Sequence, residues 1–407
     1  MVDQDPSRLL ERFAALAAAR PLHERLAPAA RDVYLVGGAV RDLMLGSEPR
    51  ELDLVVEGDV EELIEELGPA RRLHGRFGTA TVQVNGFTYD LARARRESYS
   101  HPGALPTVAP ASLVEDLGRR DFTVNAISLA VLGPRRGWLA AYSPGLDDLR
   151  AGTMRVLHDA SFRDDPTRLL RLARYASRLQ FAIEPHTRAL AQAAVGGGAL
   201  ETVSGPRLGA ELRLLAVEPD PVAALGALGE LGVDSALAPW FGLRDPALAR
   251  RALALLPPDG DRAALAIAAA SSDAGPAELA RLLERLAFEA SQRDAILASA
   301  GGAASLAASL QTVALPSQIS AAVGRSALEA VALAGALGPA EAARRWLQEL
   351  RFVRLDIDGA DILAAGVAAG PAVGAGLRAA LAAKLDGRAL GREAELAEAL
   401  RAAATGR

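Results

Sequence analysis

The hydrophobic period of this chain changes once, near residue 145, and that change decides most of what it can fold into. Before it, short β-forming runs alternate with helical segments. After it, apolar residues recur at three- and four-residue spacing almost throughout. Val33-Tyr-Leu-Val36 is an apolar run that stops at Gly37-Gly38, and Ala39 to Leu45 follows as a helix halted by Gly46. Leu52 to Val56 predicts a second strand and Glu61 to Leu67 a second helix. Thr79–Val84 and Phe87–Leu91 flank Asn85-Gly86, the pattern of a tight hairpin. Residues 97–112 carry three prolines and a glycine and predict a long loop. Gly and Pro clusters near 195–206, 257–260 and 301–302 punctuate the helical part, which contains no fixed-period repeat. The expected fold is an α+β N-terminal domain, a small mixed or antiparallel sheet with helices, followed by an all-α region.

At 407 residues the chain exceeds one ordinary domain. Aromatic residues are only 4%, so Leu, Ala and Val must fill the core, which suits packed helices. The absence of cysteine excludes disulfides, thiolate metal sites and cysteine nucleophiles. The histidines, His23, His74, His101, His158 and His186, have no zinc-ligand spacing. No apolar run reaches the ~18–20 residues of a membrane span, and the acidic start lacks the basic region of a signal peptide. No membrane partner and a cytoplasmic location are therefore expected. The net charge of −5 weighs against a nucleic-acid ligand, unless basic residues cluster locally.

Three constellations carry chemistry. In the first, Gly37-Gly38 lies between a strand and a helix, where the missing Cβ atoms let a phosphate approach the backbone. Glu51 and Asp53 are two apart on the next strand, so both carboxylates point to one face and could hold a pair of divalent cations. The alternatives are an ordinary turn with surface acids, or a dinucleotide-binding turn with Glu57 on the ribose. The glycine spacing opposes the latter, since Ala39 and Asp42 stand where glycines are needed. The second constellation is Arg119-Arg-Asp-Phe-Thr-Val-Asn-Ala126. Its arginines can neutralise phosphate, and Asp121 and Asn125, four apart, can bond ribose hydroxyls from one helix face. A capped helix start with solvated arginines fits the same residues. The third runs from Ser161 to Arg178. Asp165-Pro166 reads as a helix start, Asp165 and Arg168 can jointly match base edges, and Arg171, Arg174 and Arg178 continue as a basic stripe.

Taken in order, these motifs resemble the class II tRNA nucleotidyltransferases (CCA-adding enzymes) and bacterial poly(A) polymerases, within the polymerase-β-like nucleotidyltransferase superfamily. Gly37-Gly-Ala-Val-Arg-Asp42 with Glu51-Leu-Asp53 is similar to the family's metal motif, and residues 119–126 to its ribose motif. Gly145-Leu-Asp-Asp-Leu149 with Arg155 resembles the hinge. Asp164-Asp-Pro-Thr-Arg168 resembles the protein template that pairs with the incoming base. Ser204-Gly-Pro-Arg207 with Glu211 resembles the segment supporting that template. The match is strong over residues 30–215. Two residues depart from the family pattern: Glu51 stands where aspartate is usual, and Asp164 where glutamate is usual. The extra methylene of Glu51 moves its carboxylate about 1 Å further out.

The resemblance implies a head over 1–145, a neck over 146–220, a body over 221–320 and a tRNA-binding tail over 321–407. It implies ATP and CTP as substrates, two Mg²⁺ ions as cofactor, and tRNA as partner through its acceptor stem and 3′ end. It implies catalytic roles for Glu51, Asp53 and Asp90, with the metals on Glu51 and Asp53. Nucleotide contacts are implied for Gly37, Gly38, Arg41, Arg119, Asp121, Asn125, Asp165, Arg168, Arg171 and Arg174, and support of the template helix for Arg207 and Glu211. The loop at 97–112 is implied to help switch between bases. Addition of the whole CCA end, of A alone, of CC alone or of poly(A) all fit these motifs, as does a non-catalytic RNA-binding relative. Oligomeric state is left open.

Overall fold

The computed structural model describes residues 2–26, 31–68, 70–74 and 78–405. By its contacts the chain divides into two compact units, one of residues 1–211 and 230–236, the other of 212–229 and 237–407.

The first unit opens with helices α1 (Pro6–Ala15) and α2 (Ala19–Leu26). There follow β1 (Val33–Val36), α3 (Gly38–Met44), β2 (Leu52–Val56), α4 (Glu61–Leu67), β3 (Ala70–His74), β4 (Thr79–Val84) and β5 (Phe87–Arg93). A separate hairpin of β6 (Arg95–Ser98) and β7 (Thr107–Pro110) leads to α5 (Leu113–Gly118), β8 (Ile127–Leu132) and β9 (Leu139–Ala141). The unit continues through α6 (Gly145–Ala151), β10 (Thr153–Met154), α7 (Ser161–Asp164), α8 (Thr167–Leu179), β11 (Ala182–Ile183) and α9 (Pro185–Gly196), and into α10 (Gly205–Ala216).

Seven strands form one sheet in the order β3-β4-β5-β2-β1-β8-β9. Only β2 and β5 run parallel; the other neighbours are antiparallel. The sheet is thus mixed, as the sequence predicts. In β2 the alternation puts Leu52, Leu54 and Val56 on one face and Asp53 and Val55 on the other. Val55 packs with Tyr34, Val36, Ala94, Leu113, Leu117, Ala126 and Ala130, so a helix-covered core begins one step beyond Asp53. All six residues of β8 are buried, and apart from Ser128 they are apolar, so Ile127–Leu132 shows no regular alternation.

The segment 97–112 is not a plain loop. Its ends pair as the β6–β7 hairpin, with Arg96 opposite Ala109 and Ser98 opposite Thr107. Pro110 ends its edge strand, where a missing N–H is tolerated. Ser112 and Glu115 then form a capping box on α5, a device worth about 1 kcal/mol. Glu57, the acid a dinucleotide site would use on ribose, accepts the Leu113 N–H at 2.8 Å and so serves the same helix start.

The second unit is helical among its described residues. Its longest helix, Ala290–Gln311, and the buried helix Leu328–Ala336 supply much of an Ala/Leu core. A smaller cluster of Ile357, Ile362, Ala380 and Ala399 holds the last helices together. No single helix among the described residues is long and apolar enough to cross a membrane.

Candidate active site

Because β2 and β5 run parallel in register, Asp53 lies directly opposite Asp90. Glu51, two residues before Asp53, immediately precedes the strand. Like charges placed opposite each other on a sheet oppose folding unless a cation intervenes. The cost is visible at Asp53, whose carboxyl is pushed up to about 6, chiefly by burial and then by Asp90 and Glu51, against the lowering pull of Arg120 and Arg171. Asp90 accepts the Thr81 hydroxyl at 2.7 Å, which fixes its orientation. Among the described residues no three Asp, Glu, His or Cys side chains form a closed metal cage. Mg²⁺ rarely has one, being held by one or two carboxylates together with water and substrate phosphates. A set of hard oxygen donors, one of them reluctant to ionise alone, fits such a cation.

The glycine turn lies beside these acids. Gly37 has φ +69° and ψ −132°, and its N–H donates to Ile127 O at 2.9 Å, tying the turn to the sheet. A Cβ at Gly37 would lie 2.7 Å from Arg120 Nη1. Gly37→Ala therefore strains the backbone and pushes Arg120 aside. We expect it to cost about 1–2 kcal/mol of stability and to weaken triphosphate binding, read as a lower melting temperature and a raised KM for nucleotide.

An open cleft of about 330 Å³ is lined by Arg119, Arg120, Arg168 and Arg171 and by Glu97, Asp121, Asp165 and Glu211, with Tyr99, Pro106 and Thr167. Four arginines face four carboxylates, so the basic residues gathered here are formally balanced rather than an open positive patch. Asp121 Oδ1 accepts from Asn125 Nδ2 at 3.0 Å and from the Phe122 N–H at 2.8 Å. Its Oδ2 accepts from Arg171 Nε at 2.9 Å and Nη2 at 2.6 Å. No α-helix joins Asp121 to Asn125; a 3-10 turn at Thr123–Asn125 brings them together.

Burial alone would raise the Asp121 carboxyl, but Arg171 and Asn125 hold it well below the usual carboxylate range. Its stabilising contribution is therefore complete above the ordinary carboxylate pKa and is lost as pH falls through the depressed one. Asp121→Asn removes the nearer of the two charge partners of the part-buried Arg171 and leaves it Glu211, and we expect it to cost about 2 kcal/mol at pH 7. The gap in melting temperature between parent and variant should close below about pH 4.

Asp165 and Arg168 both line the cleft. Arg168 is buried, its Nη1 donating to Ser161 Oγ at 2.7 Å and its Nη2 to Arg119 O at 2.9 Å, so its fork is locked in one plane. Asp165 caps the first turn of α8 by accepting from Thr167 N and Oγ1. The same Oδ1 accepts from Arg207 Nη2 at 2.9 Å, while Arg207 Nη1 donates to Gly103 O at 2.9 Å. Arg207 thus joins the tip of the β6–β7 hairpin to the start of α8. Glu211 accepts from Arg171 Nη1 at 3.2 Å and Arg174 Nη2 at 3.5 Å.

One expectation needs correction. The arginine stripe of α8 is not an open basic face: Arg171 pairs with Asp121 and Glu211, Arg174 with Glu211, and Arg178 with Asp42 at 3.2 Å. Arg41 does not line the cleft; it is 1% exposed and donates to Asp42 and to Asn125 Oδ1. Arg119 is bound by Asp116 and Glu97, whereas Arg120, its neighbour in the motif and also paired with Asp116, reaches the glycine turn at Gly37, as Arg41 does at Gly38. The sequence assigns no role to Glu97 or Tyr99, and it offers Arg119 and Arg120 only as a pair. Arg120 had a signal, the Arg-Arg pair itself, but nothing in the pair says which member turns towards the glycines.

A mixed sheet with paired acids beside a glycine turn, next to an arginine-lined cleft, defines the class as a nucleotidyltransferase head. A family model described as the poly(A) polymerase head domain matches residues 33–155. The chain is 43% identical over 206 residues to an A-adding tRNA nucleotidyltransferase of Geobacter sulfurreducens, covering 49% of this chain and 23% of that protein. It is 40% identical over 225 residues to an A-adding enzyme of Halalkalibacterium halodurans, covering 54% and 53%. It is 41% identical over 211 residues to a CC-adding enzyme of Deinococcus radiodurans, covering 51% and 55%. The matched region spans between about a quarter and about half of these relatives. Among solved structures, an apo CCA-adding enzyme superposes with a TM-score of 0.81 at 28% identity, covering 98% of this chain and 99% of that one. A Thermotoga maritima CCA-adding enzyme complexed with tRNA gives 0.77 at 27% identity, covering 98% and 99%. Residues 33–155 thus match a poly(A) polymerase head-domain model, and the chain as a whole is similar in fold to solved CCA-adding enzymes.

Proposed function

We propose that this protein adds nucleotides to the 3′ end of tRNA from CTP and ATP without a nucleic-acid template, building all or part of the CCA end. The observation that carries this reading is the register of β2 and β5. It sets Asp53 against Asp90, with Glu51 two residues before Asp53 and Arg120 at the adjoining glycine turn. Glu51 and Asp53, with Asp90 opposite Asp53, would hold two Mg²⁺ ions, which when bound neutralise the triphosphate and ease ionisation of the attacking 3′-hydroxyl.

The rest is done by the chain itself. Gly37 and Gly38 admit the triphosphate against the backbone, and Arg120 draws it there by charge. Asp121 and Asn125, held by Arg171 and Arg41, check for the ribose 2′-hydroxyl. Asp165 and Arg168 read the base: an acceptor oxygen beside a fixed donor fork can meet the pyrimidine edge of CTP or the purine edge of ATP. Arg207 and Glu211 keep that pair in place. The 3′ end of the tRNA enters the cleft, with the neck, body and tail, 146–220, 221–320 and 321–407, along the rest of the RNA.

A second reading is A-only addition, favoured by the names of relatives at 40–46% identity. Purified protein with Mg²⁺ and labelled nucleotides is given tRNAs ending at the discriminator base, at C and at CC. A complete CCA enzyme extends all three, an A-adding enzyme only the CC end, and a CC-adding enzyme only the first two. Failure on every end with every nucleotide overturns the enzyme reading.

A further inference from the structure

Tyr175 belongs to none of the roles assigned above, yet it sits among the residues that carry them. It is half-buried on α8, and three arginines surround its ring, with guanidinium carbons 4.5 Å (Arg174), 5.3 Å (Arg171) and 5.4 Å (Arg41) from the centroid. Phe122 meets it edge-on, 6.1 Å between centroids at 78°. Its hydroxyl accepts from Arg171 Nη2 at 3.3 Å.

The three arginines converge on two carboxylates that line the cleft, Asp121 and Glu211. Arg171 reaches Asp121 and Glu211, Arg174 reaches Glu211, and Arg41 reaches Asn125, which donates to Asp121. Three like charges in so small a space repel one another. Asp42, Asp121 and Glu211 offset that from outside, and the negative face of the ring offsets it from within. With the ring gone, Arg41 and Arg171 lose the surface that fixes their planes, and Asp121 and Asn125 lose theirs in turn.

We infer that the Tyr175 ring is a positioning residue for ribose recognition, setting Asp121 and Asn125 through Arg171 and Arg41 without touching the nucleotide. The inference rests on the ribose role of Asp121 and Asn125 given under the proposed function. The aromatic face is the active part and the hydroxyl an accessory. Phenylalanine should therefore serve where an aliphatic chain of similar reach does not.

The test compares parent, Tyr175→Phe and Tyr175→Met for incorporation of a ribonucleotide and its 2′-deoxy counterpart, using the tRNA end that the parent extends. The readout is the ratio of the two kcat/KM values. Y175F should keep the parent ratio within about twofold, and Y175M should lose about tenfold of it, the scale of desolvated cation–π contacts. Should Y175M fail to fold, as a thermal melt reports, Y175L takes its place with the same expectation. An equal fall for both nucleotides, with the ratio kept, marks Tyr175 as a space-filler and overturns the inference. A parent with a ratio near one removes the ribose reading itself, and this inference with it.

Discussion

Asp53→Asn is expected to lower nucleotide incorporation by about 10³-fold or more, since even the outer partners of metal ligands cost about 10–100-fold when changed. The same substitution should not weaken the fold. In the metal-free protein the Asp53 carboxyl is pushed up to about 6 by burial, and then by Asp90 and Glu51 against Arg120. The folded state thus holds a proton that the unfolded chain releases at its ordinary carboxylate pKa, near 4. The stability Asp53 contributes is complete below about pH 4 and is lost as pH rises through about 6. Asparagine has no charge to bury, so above pH 6 and without divalent cation the variant should melt at or above the parent temperature. Loss of activity with gain of stability separates a site residue from a structural one. A D53N protein with activity within tenfold of the parent, or one that melts well below it at pH 8, contradicts the assignment.

Arg168→Ala is expected to cost about 10²–10³-fold in preference for CTP and ATP over UTP and GTP, because a site built on hydrogen bonds rejects the wrong partner far more strongly than an apolar one. Arg168 is suited to this because both ends of its fork are already tied, to Ser161 and to Arg119 O, so its plane is set before any base arrives. Lysine should not restore the preference, since a point charge on a flexible stem does not reproduce a planar donor pair. The measurement is kcat/KM for each of the four nucleotides on one tRNA end. An R168A protein that incorporates all four more slowly, but in the parent proportions, would place base selection elsewhere.

The sheet around the acids was legible because its signals are local. A strand of four buried residues ending at Gly37-Gly38 and an Asn-Gly turn closing β4 onto β5 each announce themselves within ten residues. The two-residue spacing of Glu51 and Asp53 needs no tertiary information either. What strand periodicity does not contain is the pairing of β2 with β5, which sets Asp90 against Asp53 and is a long-range choice of neighbour and direction. The hairpin of β6 and β7 was hidden because its prolines suggest a loop, yet Pro110 ends an edge strand where proline is harmless. The arginines misled for a different reason. Their helical spacing predicts one exposed face, but their partners Asp42, Asp121 and Glu211 come from elsewhere in the sequence and turn the stripe into buried ion pairs. Arg41 shows the same limit: its place beside Gly38 is legible in the sequence, but its burial and its bond to Asn125 come from packing.

Everything proposed for this protein depends on Glu51, just before β2, and Asp53, within it, sharing divalent cations. A crystal structure with Mn²⁺ and a non-hydrolysable CTP analogue, phased to show anomalous scattering, addresses that directly. The account predicts manganese peaks coordinated by both Glu51 and Asp53 and by the triphosphate, with the base between Asp165 and Arg168. Manganese bound away from Glu51 and Asp53, or a nucleotide lodged outside the arginine-lined cleft, would contradict it.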